Sequence, residues 1–212
     1  MKHKKDKKCR VVISKNYKSI ELNELLPGDI LLFLHGNKLT EWHGRNRKKK
    51  FGRSTKPPYH AAIVYSVVQM IDGKPDVFIL DPEISTSLSF LKEYLTKTST
   101  RVDIVRFKAT RVQRRKIQKK IKDIAYKEGL YDWKGYFAFA SQMPFLGWLK
   151  IIKPSKKTFF CSDAVVHAVQ KSTNIRVSPR GSNYTAPVDI QLYGLQYHKL
   201  YTLKKQGEYY GV

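Results

Sequence analysis

The sequence is poor in cysteine and poor in acid. Cys9 and Cys161 are the only two cysteines in 212 residues, too few for a disulfide framework. Cys9 also falls in a charged terminal stretch that is expected to fray. No CxxC or HxxxH spacing occurs, so no structural zinc site is expected, and no cofactor motif is visible. Long apolar runs are missing as well. The nearest, GYFAFASQMPFLGWLKII, is interrupted by Pro144 and Gly147, which leaves nothing to cross a bilayer. The VVIS stretch behind the basic start is too short for a signal h-region. These absences predict a soluble, cytoplasmic chain. There is no internal repeat and no nucleic-acid-binding motif.

Acidic residues number 17 against 41 Lys and Arg, a net charge of +24. That excess fits anionic partners: a cell-wall-type polymer, a membrane surface or, less favoured, nucleic acid. The basic residues gather in MKHKKDKKCR at the start, in RNRKKKFGRSTK at 45–56 and in RVQRRKIQKKIK at 111–122. Solvated faces explain such runs equally well. Apolar and aromatic content is ordinary, so a folded core is expected.

The chain reads as a basic arm over 1–18 followed by one domain over 19–212. SIELNELLPGDILLFL predicts a short helical or loop segment, a turn at Pro27-Gly28-Asp29 and a strand over 30–34. Residues 35–58 are polar, basic and punctuated by Gly and Pro, a long loop suited to a lid. YHAAIVYSVVQM and DVFILDPE predict a hairpin around DGKP. SLSFLKEYL reads as helical and RVDIVRFK as a strand. Residues 111–128 predict a basic amphipathic helix with Ile117, Ile121, Ile124 and Ala125 on its inner stripe, closed by Gly129. The aromatic segment LYDWKGYFAFASQMPFLGWL should shape a pocket. A helix is expected over 162–172, then a turn at Pro187 and a last strand near 197–203. Strands arranged as hairpins imply an α+β fold on an antiparallel sheet or open barrel, packed against helices.

Chemistry is carried first by FFCSDAVVHAV. Ser162 and Asp163 suit the first turn of a helix whose inward stripe is Ala164, Val165, Ala168 and Val169. Cys161 then stands at the helix N-terminus, where the dipole favours thiolate. Alone, it reads more readily as a small buried hydrophobe than as a nucleophile. His60 opens an apolar strand and offers the imidazole a thiolate needs, or it is an edge histidine bonded to backbone. Asp81 and Glu83 share one face of the next strand. A tight turn centred on Asp72-Gly73 would set Val64 against Asp81 and Ala62 against Glu83, leaving Glu83 closer to His60. A bulge or a wider loop would bring Asp81 in, so spacing leaves both open. His35 and His43 read as loop residues, and His167 and His198 as structural. Tyr131 and Tyr184 are candidates for the pocket wall.

In order, LLPGDILLF, YHAAIVY, FILDP, YDW, FFCSDAVVHAV and TAPVDI resemble the circularly permuted branch of the NlpC/P60 papain-like superfamily, which includes YiiX-type bacterial and poxvirus-related proteins. The resemblance covers about residues 20–203. It implies a permuted papain-like fold with the histidine ahead of the cysteine. It also implies a cysteine-histidine-acid site of Cys161, His60 and Asp81, and thiol-dependent hydrolysis of an amide in a small peptide, a cell-wall-type peptide or an N-acyl amino acid. Lipid acyl transfer or phospholipase action at an anionic membrane is the alternative on that scaffold. Asp81 stands where the family usually has glutamate, and Tyr59 where it often has serine. Against these readings stands a basic nucleic-acid-binding module without catalysis.

Overall fold

The computed structural model describes residues 17–34, 58–82, 86–97, 101–127, 161–179 and 185–204. Seven strands form one sheet: β1 (Lys18–Ile20), β2 (Ile30–Phe33), β3 (His60–Gln69), β4 (Pro75–Pro82), β5 (Thr86–Phe90), β6 (Val102–Arg106) and β7 (Lys199–Leu203). Four α-helices are described: α1 (Leu91–Lys97), α2 (Arg111–Lys127), α3 (Cys161–Thr173) and α4 (Pro187–Tyr197). The class is α+β. Most of the predicted arm, the lid of the 35–58 loop apart from Pro58, Gly129 and the aromatic 131–149 segment lie outside the described residues, as do Cys9, His35, His43, Glu83, Tyr131 and Tyr184.

Strand order across the sheet is β1-β7-β6-β2-β3-β4-β5. All neighbours are antiparallel except β1, which pairs parallel with β7. The antiparallel expectation therefore fails at one edge. There the stretch at the end of the predicted arm adds Lys18–Ile20 beside the last strand.

The central strand shows why the sheet has two cores. Ile30, Leu31, Leu32 and Phe33 are all buried, as an unbroken apolar run in a doubly covered strand requires. Alternation sends Ile30 and Leu32 to one face, with Ala61, Ile63, Leu80 and Val105. Helix α2 covers that face with Ile117, Ile121 and Ile124, and α3 with Ala164, Val165, Ala168 and Val169. Leu31 and Phe33 go to the other face, with Ala62, Val64, Val77, Ile79 and Leu91. Ile20 and Leu203 from the far edge share that second core, so the sheet curls around it as an open barrel does.

Two elements depart from the sequence reading. SLSFLKEYL is helical only from Leu91. Its first part is strand β5, where Phe90 stands opposite Phe78 with ring centroids 4.3 Å apart. Cross-strand pairing there outweighs the local helical pattern. The expected turn at Pro187 is instead the start of α4. Pro187 fits the first helical turn, which has no use for its missing N–H. Asp189 Oδ2 accepts the Ala186 N–H at 2.9 Å. His198 accordingly caps α4 rather than lying in the last strand.

α4 lies close on the sheet because Gly194 has no side chain. A Cβ there would come 2.8 Å from Val105 Cγ1 and 3.1 Å from Leu200 Cδ1. Val105 is fully buried and β-branched, so it has no free rotamer to yield. Gly194→Val is expected to cost about 3 kcal/mol by overpacking. The urea midpoint should fall with an unchanged slope; an unchanged midpoint would mean that α4 can lift off the sheet at no cost.

Candidate active site

The β3–β4 hairpin decides which carboxylate meets His60. Ile63 pairs with Leu80, where a tight turn at Asp72-Gly73 would have set it against Pro82. Two departures add up. Met70 N–H bonds to Lys74 O at 2.9 Å, so the loop has three residues and ends on Gly73 at φ +75°. A bulge between Val64 and Ser66 then inserts one more residue into β3. Extending the register past the bulge places Asp81 opposite Ala62, one step from His60 on the same face. The carboxylate accepts a hydrogen bond there: His60 Nε2 to Asp81 Oδ1 is 2.7 Å. Glu83, the simpler choice by spacing, lies outside the described residues.

His60 is the first residue of β3 and only 5 % exposed, and Asp81 is 9 % exposed. The imidazole is boxed by aromatic rings. Tyr94 of α1 stacks on it at 5.5 Å with a 12° interplanar angle. Phe33, its partner across β2, lies at 5.5 Å and Tyr59 at 6.2 Å. With Nε2 committed to Asp81, Nδ1 is the nitrogen left for a second partner.

Cys161 is a free cysteine, half-buried as the first residue of α3. It lies near enough to the imidazole to favour the ring's charged form. The helix behind it is pinned twice. Its inward stripe packs against β3 and β4, and Ser162 Oγ donates to Thr185 O, whose own hydroxyl meets Ser178 Oγ at 2.8 Å. The ring is therefore held by a carboxylate and influenced by a nearby sulfur. Burial works against its charged form and is the largest single influence. Asp81, through its hydrogen bond and charge, and the nearby Cys161 outweigh it and raise the His60 pKa to about 10. The imidazolium is thus the form this environment favours at neutral pH.

His60, Asp81 and Cys161 thus meet, from β3, β4 and α3. The aromatic box was not anticipated, since Phe33 and Tyr94 reach the imidazole through cross-strand pairing and the α1 fold-back. Asp29 belongs to a different cluster. Fully buried, it accepts from Arg106 Nη2 at 2.6 Å and from the Leu26 N–H at 3.0 Å, and lies 3.6 Å from Arg114 Nη1. This is the structural role expected of the Pro27-Gly28-Asp29 turn. Among the described residues, no group of three or more His, Cys, Asp or Glu side chains is placed to hold a metal ion. No helix among them is long and apolar enough to cross a membrane.

No family model matches the sequence, and no curated protein matches it. Among solved structures, the chain is similar to metalloprotein yiiX from Escherichia coli O157:H7 (DUF1105). The two are 15 % identical, with 85 % of this chain and 97 % of that chain covered and a TM-score of 0.46.

Proposed function

We propose that the chain is a cysteine-dependent hydrolase of the permuted papain-like type, cleaving an amide in a small peptide, a cell-wall-type peptide or an N-acyl amino acid. One observation carries this reading: a buried imidazole bonded to a carboxylate 2.7 Å away, with a cysteine at a helix N-terminus close enough to favour its charged form. A structural histidine needs neither partner, and a filler cysteine needs no imidazole.

In the proposed cycle His60 holds the thiol proton, and the Cys161 sulfur adds to the substrate carbonyl carbon. The Cys161 backbone N–H, which has no partner within its own helix, stabilises the oxyanion. As the C–N bond breaks, imidazolium gives its proton to the departing amine, leaving a thioester on Cys161. His60 next takes a proton from water, whose oxygen adds to the thioester. The C–S bond breaks, the acid leaves, and the sulfur is again paired with the protonated imidazole. Asp81 accepts from Nε2 throughout and keeps Nδ1 facing the sulfur.

The test uses p-nitrophenyl acetate and a Cys9→Ser background, so that one thiol remains. A burst of one equivalent of nitrophenolate is expected, with an acetyl adduct on the peptide containing Cys161. Cys161→Ala should abolish both. A burst that survives in that variant overturns the assignment.

A further inference from the structure

Helix α2 carries a second feature that the site does not use. Its apolar stripe, Ile117, Ile121 and Ile124, is fully buried against the sheet and α3. On its opposite side Arg111, Arg115, Lys116, Lys119 and Lys122 are all exposed. At 100° per residue these five cations fall within an arc of about 140°, diametrically across from the isoleucines. None of them forms an ion pair among the described residues. The single acid of the helix, Asp123, is half-buried and already engaged. A helix face with five uncompensated like charges destabilises itself through i,i+3 and i,i+4 repulsion. Elsewhere the protein neutralises such charge, as Arg106 and Arg114 show around Asp29.

We propose that this face of α2 is a docking surface for the phosphate backbone of duplex DNA, bound without regard to sequence. The match is one of charge density. From Arg111 to Lys122 the helix rises about 16 Å, and a duplex carries one phosphate charge per ~1.7 Å of its axis, so a basic face of that length meets several phosphates where it crosses the backbones. A lipid surface fits less well. Peripheral helices add an apolar face that enters the headgroup boundary, whereas the apolar stripe of α2 is consumed by the core. Only Val112 and Tyr126 are exposed hydrophobics on this helix, near its two ends. Phosphate contact also requires neither a base-reading motif nor interleaved aromatics, which the sequence lacks. The inference is independent of the thiol chemistry.

Fluorescence anisotropy with the full chain and a labelled random-sequence DNA duplex tests it across a salt series. Three exposed changes, Arg115→Gln, Lys119→Gln and Lys122→Gln, are combined in one variant, with thermal melting confirming that it stays folded. Affinity at about 50 mM salt is expected to drop at least tenfold, and the log–log salt slope to flatten by about 2.7, or 0.9 per lost contact. The matching triple change in the arm, Lys4→Gln, Lys5→Gln and Lys7→Gln, controls for bulk charge and should matter less. Equal losses from the two triples, or an unchanged slope in the α2 variant, overturn the proposal. So does a variant that keeps DNA but loses binding to phosphatidylserine vesicles.

Discussion

His60→Ala is expected to slow hydrolysis of p-nitrophenyl acetate by about 10²- to 10⁴-fold, the range typical of a lost general acid–base. Alkylation of Cys161 by iodoacetamide should slow less, and the difference is informative. Without the imidazole the sulfur loses its proton acceptor, but alkylation delivers no proton to a leaving amine, so its rate should fall by only about tenfold. The pH profile adds a signed test. On an amide substrate the imidazolium must protonate the departing amine, so activity falls as pH rises through the His60 value of about 10. Asp81 raises that value through its hydrogen bond and its charge. Asp81→Asn removes the charge, so the alkaline limb should move to lower pH. The stability linkage has the same sign. The pKa of His60 rises on folding from 6.5 to about 10, so its contribution is complete below 6.5 and lost between those values. The stability gap between the parent and Asp81→Asn should close over that window. An alkaline limb that stays in place in Asp81→Asn would remove Asp81 from the site.

Much of this arrangement is written in local patterns. The isoleucines of α2 recur at helical spacing, and only one face of that helix can be buried. Cys161 precedes a polar pair and a small-apolar stripe, which places it at a helix start before any neighbour is known. The parity of 60, 62 and 64 against 81 and 83 puts the imidazole and both carboxylates on one face. What parity does not set is the offset along the strand. That offset came from a three-residue loop and a bulge at Tyr65, and each depends on pairing with β4 rather than on composition. The missed pieces share the same physical origin. β1 is three residues long and exists through its pairing with β7. β5 trades its helical pattern for a cross-strand Phe78–Phe90 pair. α4 carried a legible start in Pro187 and Asp189, yet Gly194 in its interior reads as a breaker until Val105 and Leu200 are seen against it. The stacking of Tyr94 on His60 is non-local in the same way: 34 positions of chain separate two rings 5.5 Å apart.

The largest loss of stability is expected from Arg106→Ala, about 3–5 kcal/mol, because it strands a buried carboxylate. Asp29 is fully buried. Burial pushes its pKa up, and Arg106, bonded through Nε and Nη2, is the main counterweight. Arg114 is more distant, at 3.6 Å. Arg106 Nη2 also donates to Glu24 O at 2.7 Å, and Arg114 Nη1 to Pro27 O at 2.5 Å. The cluster therefore fastens the turn ahead of β2 to β6 and α2. For a chain of this size the melting temperature should fall by about 10 °C. Two explanations separate on a paired variant. If the loss comes from an uncompensated charge, Arg106→Met combined with Asp29→Leu restores part of it, since the buried charge goes with its partner. If it comes from the backbone bonds at Glu24 and Leu26, the double variant is at least as unstable as the single, because Asp29→Leu also removes the acceptor of the Leu26 N–H. The expected order is the double variant more stable than Arg106→Ala by about 1 kcal/mol or more, because desolvating a lone carboxylate costs more than losing ordinary hydrogen bonds, at about 1 kcal/mol each. The reverse order would mean that hydrogen bonding to the turn, and not the charge, holds this end of the sheet.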